Sequence, residues 1–203
     1  KCTLFDYSYK FFYEDGYGKE FLILNLKDDK DDDDRKLYFT ACLLSFYQQI
    51  WLWETKRLAL ADFNIEKPLW VFVGNKVNDD DSDILTVTKF LGDFLNSKAQ
   101  MSSWIEDLIA DKARILDSKG NNIFAKRFLP MMGRDADEVY HDILKRLFNA
   151  DAPQRLKLVN LKNSKGELAL RVGDADPFGL INVGDDSKFH TLAEKSNEGI
   201  FDT

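Results

Sequence analysis

Four places in this chain carry residue types that could do chemistry. Residues 28–34 (DDKDDDD) concentrate carboxylates that suit a hard cation. They lack the regular ligand spacing and the turn glycine of a calcium loop, so they read as a solvated, mobile acidic loop. Gly16-Tyr17-Gly18-Lys19 has the glycines and lysine of a phosphate loop but not the GxxxxGK[ST] spacing that supplies enough backbone amides, and it reads as a turn. Ser187 and His190 offer a nucleophile and a base, but on one short predicted helix they cannot reach triad geometry. Gly74-Asn75-Lys76 follows a run that reads as a buried strand and precedes a capped helix. In open α/β sheets ligands bind in the crevice beyond the carboxyl ends of strands, which makes these three the first candidate site.

Nothing else in the sequence completes an active site. Walker A, DExx, HExxH and GxSxG motifs are all missing. His141 falls off the apolar face of its predicted helix and reads as a surface residue. Cys42 lies in an apolar stripe and reads as a small core residue. Two histidines and two scattered cysteines, Cys2 and Cys42, do not make a zinc site.

The elements that must position the candidate site can be read from composition and periodicity. The chain has 203 residues, 44% of them hydrophobic, enough for one substantial core. Its net charge of −7 excludes a uniformly basic nucleic-acid domain. The charge is uneven: −8 over residues 1–111, +6 over 112–171 and −5 over 172–203. A basic middle third fits a local polyanion contact and fits scattered surface lysines equally well. Sparse cysteine and no signal-peptide pattern point to a reducing, cytoplasmic compartment. The most apolar run, 39–53, is broken by Gln48-Gln49 and falls short of the ~20 residues that span a bilayer. The sequence starts on Lys1, not Met, and ends on Phe201-Asp202-Thr203 without an obvious helix stop, which leads us to expect a piece of a longer protein.

Residues 4–13 and 21–26, with the glycine turn between them, predict an N-terminal β-hairpin. Residues 37–63 predict one long connecting helix, apolar on two stripes (Phe39, Leu43, Phe46, Ile50 and Trp53; Leu37, Leu44, Tyr47 and Trp51). Residues 69–73 (LWVFV) predict a strand buried on both faces. Helices follow at 83–98, with Ser82 or one of the aspartates as cap, at 101–116, and at 136–148, capped by Asp135 with Glu138 three residues on. A short helix is expected within 123–132. Strands are expected at 156–161, 167–172 and 178–183, then a helix carrying Phe189, Leu192 and Ala193. The fold class expected is α/β, with a mixed, largely parallel sheet joined by right-handed crossovers.

Four stretches together carry a resemblance: LFDYSYKFFYEDGYGKEFLILNL (4–26), LLSFYQQ (43–49), KPLWVFVGNKV (67–77) and PFGLINVGD (177–185). They resemble the bacterial DEAD/DEAH-box helicase family that includes the Res subunits of type III restriction enzymes, in which two RecA-like lobes close on ATP and move along DNA. The resemblance implies that residues 1–66 are an inter-lobe hairpin and long helix. Residues 67–203 would be the front of the second RecA-like lobe, with 83–149 a helical segment. It places the ATP-binding lysine and the Mg²⁺-binding acidic box before Lys1, and the motifs nearest the arginine finger after Thr203. ATP and Mg²⁺ would then belong to the full-length protein, with no cofactor held by this stretch. The implied partners are double-stranded DNA, the first RecA-like lobe and a methyltransferase (Mod) subunit, with no membrane. In this family the loop after the second lobe's first strand touches the nucleic-acid backbone. Here that loop is Gly74, Asn75 and Lys76, whose amides and ammonium suit phosphate contacts. The alternative is a free-standing acidic α/β interaction module that docks through the aromatic N-terminal hairpin.

Overall fold

In the computed structural model, which describes residues 7–16, 32–74, 76–79, 81–196 and 200–202, the apolar periodicities resolve into a mixed α/β architecture. The helices are α1 (Tyr9–Glu14), α2 (Asp32–Thr55), α3 (Arg57–Leu60), α4 (Asp83–Asn96), α5 (Lys98–Ile109), α6 (Ala136–Leu147) and α7 (Asp186–Ser196). The strands are β1 (Leu156–Asn160), β2 (Glu167–Val172), β3 (Gly179–Asn182) and β4 (Phe201–Asp202). One continuous apolar core joins α2, α4, α5 and α6 to the sheet, with Phe94, Tyr140, Ile143 and Leu156 fully buried.

The sheet corrects the expectation of a largely parallel, RecA-like one. Its order is β3-β2-β1-β4, and the β1–β2 and β2–β3 pairs are antiparallel. Only the two-residue β4 runs parallel to β1. Connection length explains this. Residues 161–166 and 173–178 are too few for a parallel crossover, which needs a dozen or more. The β1–β2 turn has the expected residues: Asn163 (φ 66°) and Gly166 (φ 79°) take left-handed conformations and close the hairpin.

At the N-terminus, residues 9–14 form a helix rather than a strand. The backbone satisfies itself locally, with Phe12 N–H donating to Ser8 O at 3.1 Å and Asp15 N–H to Phe11 O at 2.9 Å. The second arm of the expected hairpin, 21–26, lies outside the described residues, as do residues 28–31 of the acidic run. Asp32, Asp33 and Asp34 form the first turn of α2 instead of a loop, where they complement its dipole. Lys36 bridges that turn to α4, 2.9 Å from both Asp32 and Asp93.

α2 is the expected long helix, though it stops at Thr55, and a short α3 and a 3₁₀ turn (Ala61–Phe63) complete the span. Leu43, Leu44, Tyr47 and Ile50 are buried, while Phe39, Phe46 and the tryptophans are half-buried. Cys42 lies among them, and burial pushes its thiol up to about 11, so it stays protonated. Ser82 and Asp135 cap α4 and α6 through bonds to Leu85 N (3.1 Å) and Glu138 N (2.9 Å). The helix expected over 101–116 runs Lys98–Ile109 because Asp111 turns left-handed (φ 56°). The chain then forms a small bridge between Leu116 and Asn122, closed by Asp117. Residues 123–132 form turns and a 3₁₀ segment, Leu129–Met131, in place of a short α-helix, since Pro130 offers no N–H.

Candidate functional site: an apolar groove beside the Gly74 turn

Residues 69–73 do not join the sheet. They have no assigned secondary structure and no ladder partner among the described residues, and Leu69, Val71 and Val73 are 82%, 67% and 86% exposed. A strand buried on both faces was expected; strand pairing needs a second edge, and none of the described elements pairs with this segment. The segment is anchored at its start, where Trp70 packs on Phe46 of α2 at a 5.9 Å centroid distance. Trp53 Nε1–H donates to Ile65 O at 2.9 Å just upstream.

Opposite this segment lies β3, one of the two edge strands of the sheet among the described residues. Between the two is a groove of about 690 Å³. Its floor is Leu43 and Phe46 of α2, Val87 and Leu91 of α4, and Phe148 after α6. Among the described residues no charged side chain lines it, and Thr88 and Asn182 are the polar side chains in its lining. The described lining therefore presents no charged side chain to a phosphate or metal. Across one end, Asn78 Nδ2–H donates to Val183 O at 2.7 Å and ties the loop after Gly74 to the end of β3.

The sequence-predicted residues sit at that same end. A Cβ on Gly74 would lie 3.0–3.1 Å from the side chains of Ile84 and Asp83, which would have to give by a few tenths of an ångström; its φ is not left-handed. Asn75 lies outside the described residues. Lys76 N–H donates to Asp83 Oδ2 at 3.4 Å, and its ammonium pairs with Asp81. Asp81 holds that ammonium protonated above the ordinary lysine value, and Lys76 in turn holds the Asp81 carboxyl below its usual range. Ser82 Oγ–H closes the loop on Lys76 O at 3.2 Å. The loop's one cation is thus committed to its own carboxylates, with Asp79 and Asp83 nearby. A phosphate reaching Lys76 must compete with Asp81.

Two other expectations fall as read. His141 is exposed, with Nδ1 2.7 Å from Asp137 O. His190 meets Asn160 (2.9 Å), not Ser187, so no nucleophile–base pair forms. Among the described residues no group of three or more His, Cys, Asp or Glu side chains could hold a metal, and no helix is long and apolar enough to cross a membrane.

One cluster escaped the sequence reading. Tyr47 of α2 donates to Asp142 of α6 at 2.5 Å and accepts from Arg134 at 2.6 Å. Asp142 also takes Arg146 at 2.8 Å, and Arg146 reaches Glu54. Arg134 lies 5.1 Å over Trp51. Only the Asp142–Arg146 spacing of four was a sequence signal; the remaining partners are far apart along the chain. The cluster clamps α2 to α6. Burial pushes Tyr47 up to about 12, with Asp142 adding to it and Arg134 opposing, and burial likewise raises Tyr38 and Tyr140 to about 12. A phenol raised by folding favours the folded state while neutral. That stability is complete below the ordinary value of 10.0 and is lost as pH climbs through about 12. Stability should therefore hold up to roughly pH 10 and then fall. Phenolate absorbance in the folded protein should show a late-titrating fraction that shrinks in Tyr47→Phe. Ordinary titration of every tyrosine in the folded state would contradict this burial.

No family model matches the chain, and neither does any curated protein or solved structure.

Proposed function

We propose that this chain is part of an ATP-dependent DNA helicase or translocase of the type III restriction kind. Its role there is backbone contact with double-stranded DNA at Gly74, Asn75 and Lys76 and a share in the ATP-driven movement of one lobe against the other. The observation that carries the reading is the order over 69–84: an apolar segment ending at Gly74, a bend at 77–79, then a helix capped by Ser82. That order sets the candidate loop at the carboxyl end of the apolar segment and the N-terminus of α4, where backbone amides attract phosphate. The four stretches quoted above support the family. The antiparallel β1–β2–β3 sheet does not. ATP and Mg²⁺ would be held by other parts of the same polypeptide, in the cytoplasm, with the first lobe and a methyltransferase subunit as protein partners.

Two substitutions test the loop in the full-length protein. Lys76→Ala should weaken DNA-stimulated ATP hydrolysis, leave DNA sequence choice unchanged and flatten the salt dependence of binding by about one unit of slope. Asp81→Asn frees the ammonium and should tighten DNA binding by about two- to fivefold. If neither substitution moves DNA affinity, the loop is not a DNA contact. The coding sequence on either side tests the family: a GxxxxGK[ST] motif upstream and an arginine-bearing helicase motif downstream support it.

A second reading, a protein-interaction module, is favoured by Tyr7, Tyr9, Phe11, Phe12 and Tyr13, all exposed on and beside α1. Stop codons flanking the segment would favour it over the first.

A further inference from the structure

The basic excess over 112–171, thirteen cations against seven carboxylates, falls unevenly on the fold. From α6 onward many of these cations are paired. Arg146 meets Glu54 and Asp142, Arg155 meets Asp202, Lys157 meets Asp174, and Arg171 donates to the carbonyls of Asp174 and Ala175. The connection between α5 and α6 differs. Lys112, Arg114, Lys119, Lys126 and Arg127 are all exposed there, and none is in an ion pair among the described residues. The carboxylates beside them are held by backbone amides instead. Asp117 Oδ1 accepts from the N–H of Lys119 at 2.8 Å and of Asn121 at 2.9 Å, and Asp111 Oδ1 from Lys126 N–H at 3.0 Å. That last bond, with Ile123 N–H to Ile115 O at 2.9 Å and Asn122 Nδ2–H to Ala113 O at 3.0 Å, draws 111–115 against 122–126. The backbone of Lys112 and Arg114 therefore runs beside that of Lys126 and Arg127, with Lys119 at the turn between. The arms are fixed from beneath: Ile115, Phe124 and Phe128 are buried, and Gln48 of α2 donates to Arg127 O at 3.2 Å.

We infer that this connection is a contact surface for the phosphate backbone of double-stranded DNA, bound without regard to sequence. Five cations gathered on two tied arms make a local positive potential in a chain of net charge −7. Lysine ammonium and arginine guanidinium groups are the donors that phosphate takes. Their fixed spacing suits a rigid polyanion. Single strands are held by stacking on exposed aromatic rings, and the rings of this connection, Phe124 and Phe128, are both buried. Leu129 and Met132, exposed just beyond the second arm, make an anionic membrane the rival partner. Its headgroups move to meet charges and gain nothing from arms held in place. The inference goes beyond the reading above: it uses no residue of the Gly74 loop and needs no ATP hydrolysis.

The probe is a fluorescent DNA duplex of about 20 base pairs, titrated with residues 1–203 at salt from about 50 to 200 mM. Five phosphate contacts should give a log–log salt slope of about −4.5, each contributing about −0.9. Lys126→Gln with Arg127→Gln changes two exposed side chains, so the circular dichroism spectrum should stay the same. The slope should flatten by about two units, and affinity at about 50 mM salt should fall at least about tenfold. Lys162→Gln with Lys165→Gln makes the same charge change on the exposed β1–β2 turn and should shift affinity by less than about twofold. An equal loss in both pairs would mean that net charge alone governs binding, which overturns the surface. No duplex binding at about 50 mM salt would mean that carboxylates elsewhere in the chain already meet these cations, and overturns it too. So would a single strand bound as tightly as the duplex, or vesicles with about 30% phosphatidylserine bound in preference to it. Lys76→Ala leaves all five cations in place and should move the slope by about one unit at most, so the two surfaces can fail separately.

Discussion

Replacing Phe94 by alanine should cost about 3–5 kcal/mol of folding stability, the largest loss expected from a single core change in this chain. Phe94 is fully buried on α4 and stacks on Tyr140 of α6 at 5.2 Å and on Phe148 at 5.7 Å between centroids. Its own carbonyl accepts from the Tyr140 hydroxyl at 3.1 Å, so the ring and the backbone of α4 are fixed against α6 together. Truncation removes the transfer free energy of the ring, leaves a cavity that rigid helices cannot collapse, and strips three aromatic contacts, the third with Phe90 at 6.3 Å. Against a total stability of roughly 5–15 kcal/mol, that is a large share. The urea midpoint should fall with little change in slope. Phe94→Leu should recover most of the loss, leaving about 1.5 kcal/mol. A loss below about 1 kcal/mol in the alanine variant is incompatible with a ring packed as described.

Gly166→Ala should cost about 2–4 kcal/mol, by a different route. Gly166 holds φ +79° at the end of the β1–β2 turn, a conformation that costs a residue with a Cβ about 1–2 kcal/mol. The new Cβ would also sit 2.5 Å from Gly184 O and 2.8 Å from its carbonyl carbon and Cα, atoms of backbone that cannot rotate away. Those same residues are bonded: Val183 N–H donates to Gly166 O at 2.7 Å and Gly184 N–H at 3.2 Å. The substitution therefore pushes the end of β3 off the hairpin and loosens one wall of the groove. Thermal unfolding should shift by roughly 5–15 °C. Gly120→Ala is the control. It has the same left-handed φ (+82°) but nothing within 4 Å of its Cβ, so it should cost about 1 kcal/mol only. Equal losses in the two variants would mean that contact with Gly184 is not what matters at position 166.

The two sites also show where local sequence rules were enough. Asn163 and Gly166 announced a turn because few residues adopt positive φ, and the turn closes where it was read. Ser82 and Asp135 were legible as caps for the same reason: a short side chain and a backbone amide three residues on need no distant partner. The inner face of α6 followed from spacing, and Val139, Tyr140, Ile143 and Leu144 are buried. Sheet direction was also within reach, since two six-residue connections permit only antiparallel neighbours.

Other features had no local signal. Tyr47 and Asp142 are 95 residues apart, and nothing in either neighbourhood marks the other as its partner. Lys76 looked available for phosphate until folding of the loop set Asp81 against it. Residues 9–14 carry an aromatic run that suits a strand, yet they close their own backbone bonds as a helix.

By itself, then, the sequence determined which stretches are apolar, where turns and caps fall, and which faces of α4 and α6 point inward, because steric and hydrogen-bonding preferences act within a few residues. Only the tertiary structure decided that residues 69–73 join no ladder among the described residues although they lie across a groove from β3. Whether a strand-forming run becomes a strand depends on an edge that another part of a polypeptide must bring to it, and hydrogen bonds between strands are made across space, not along the chain.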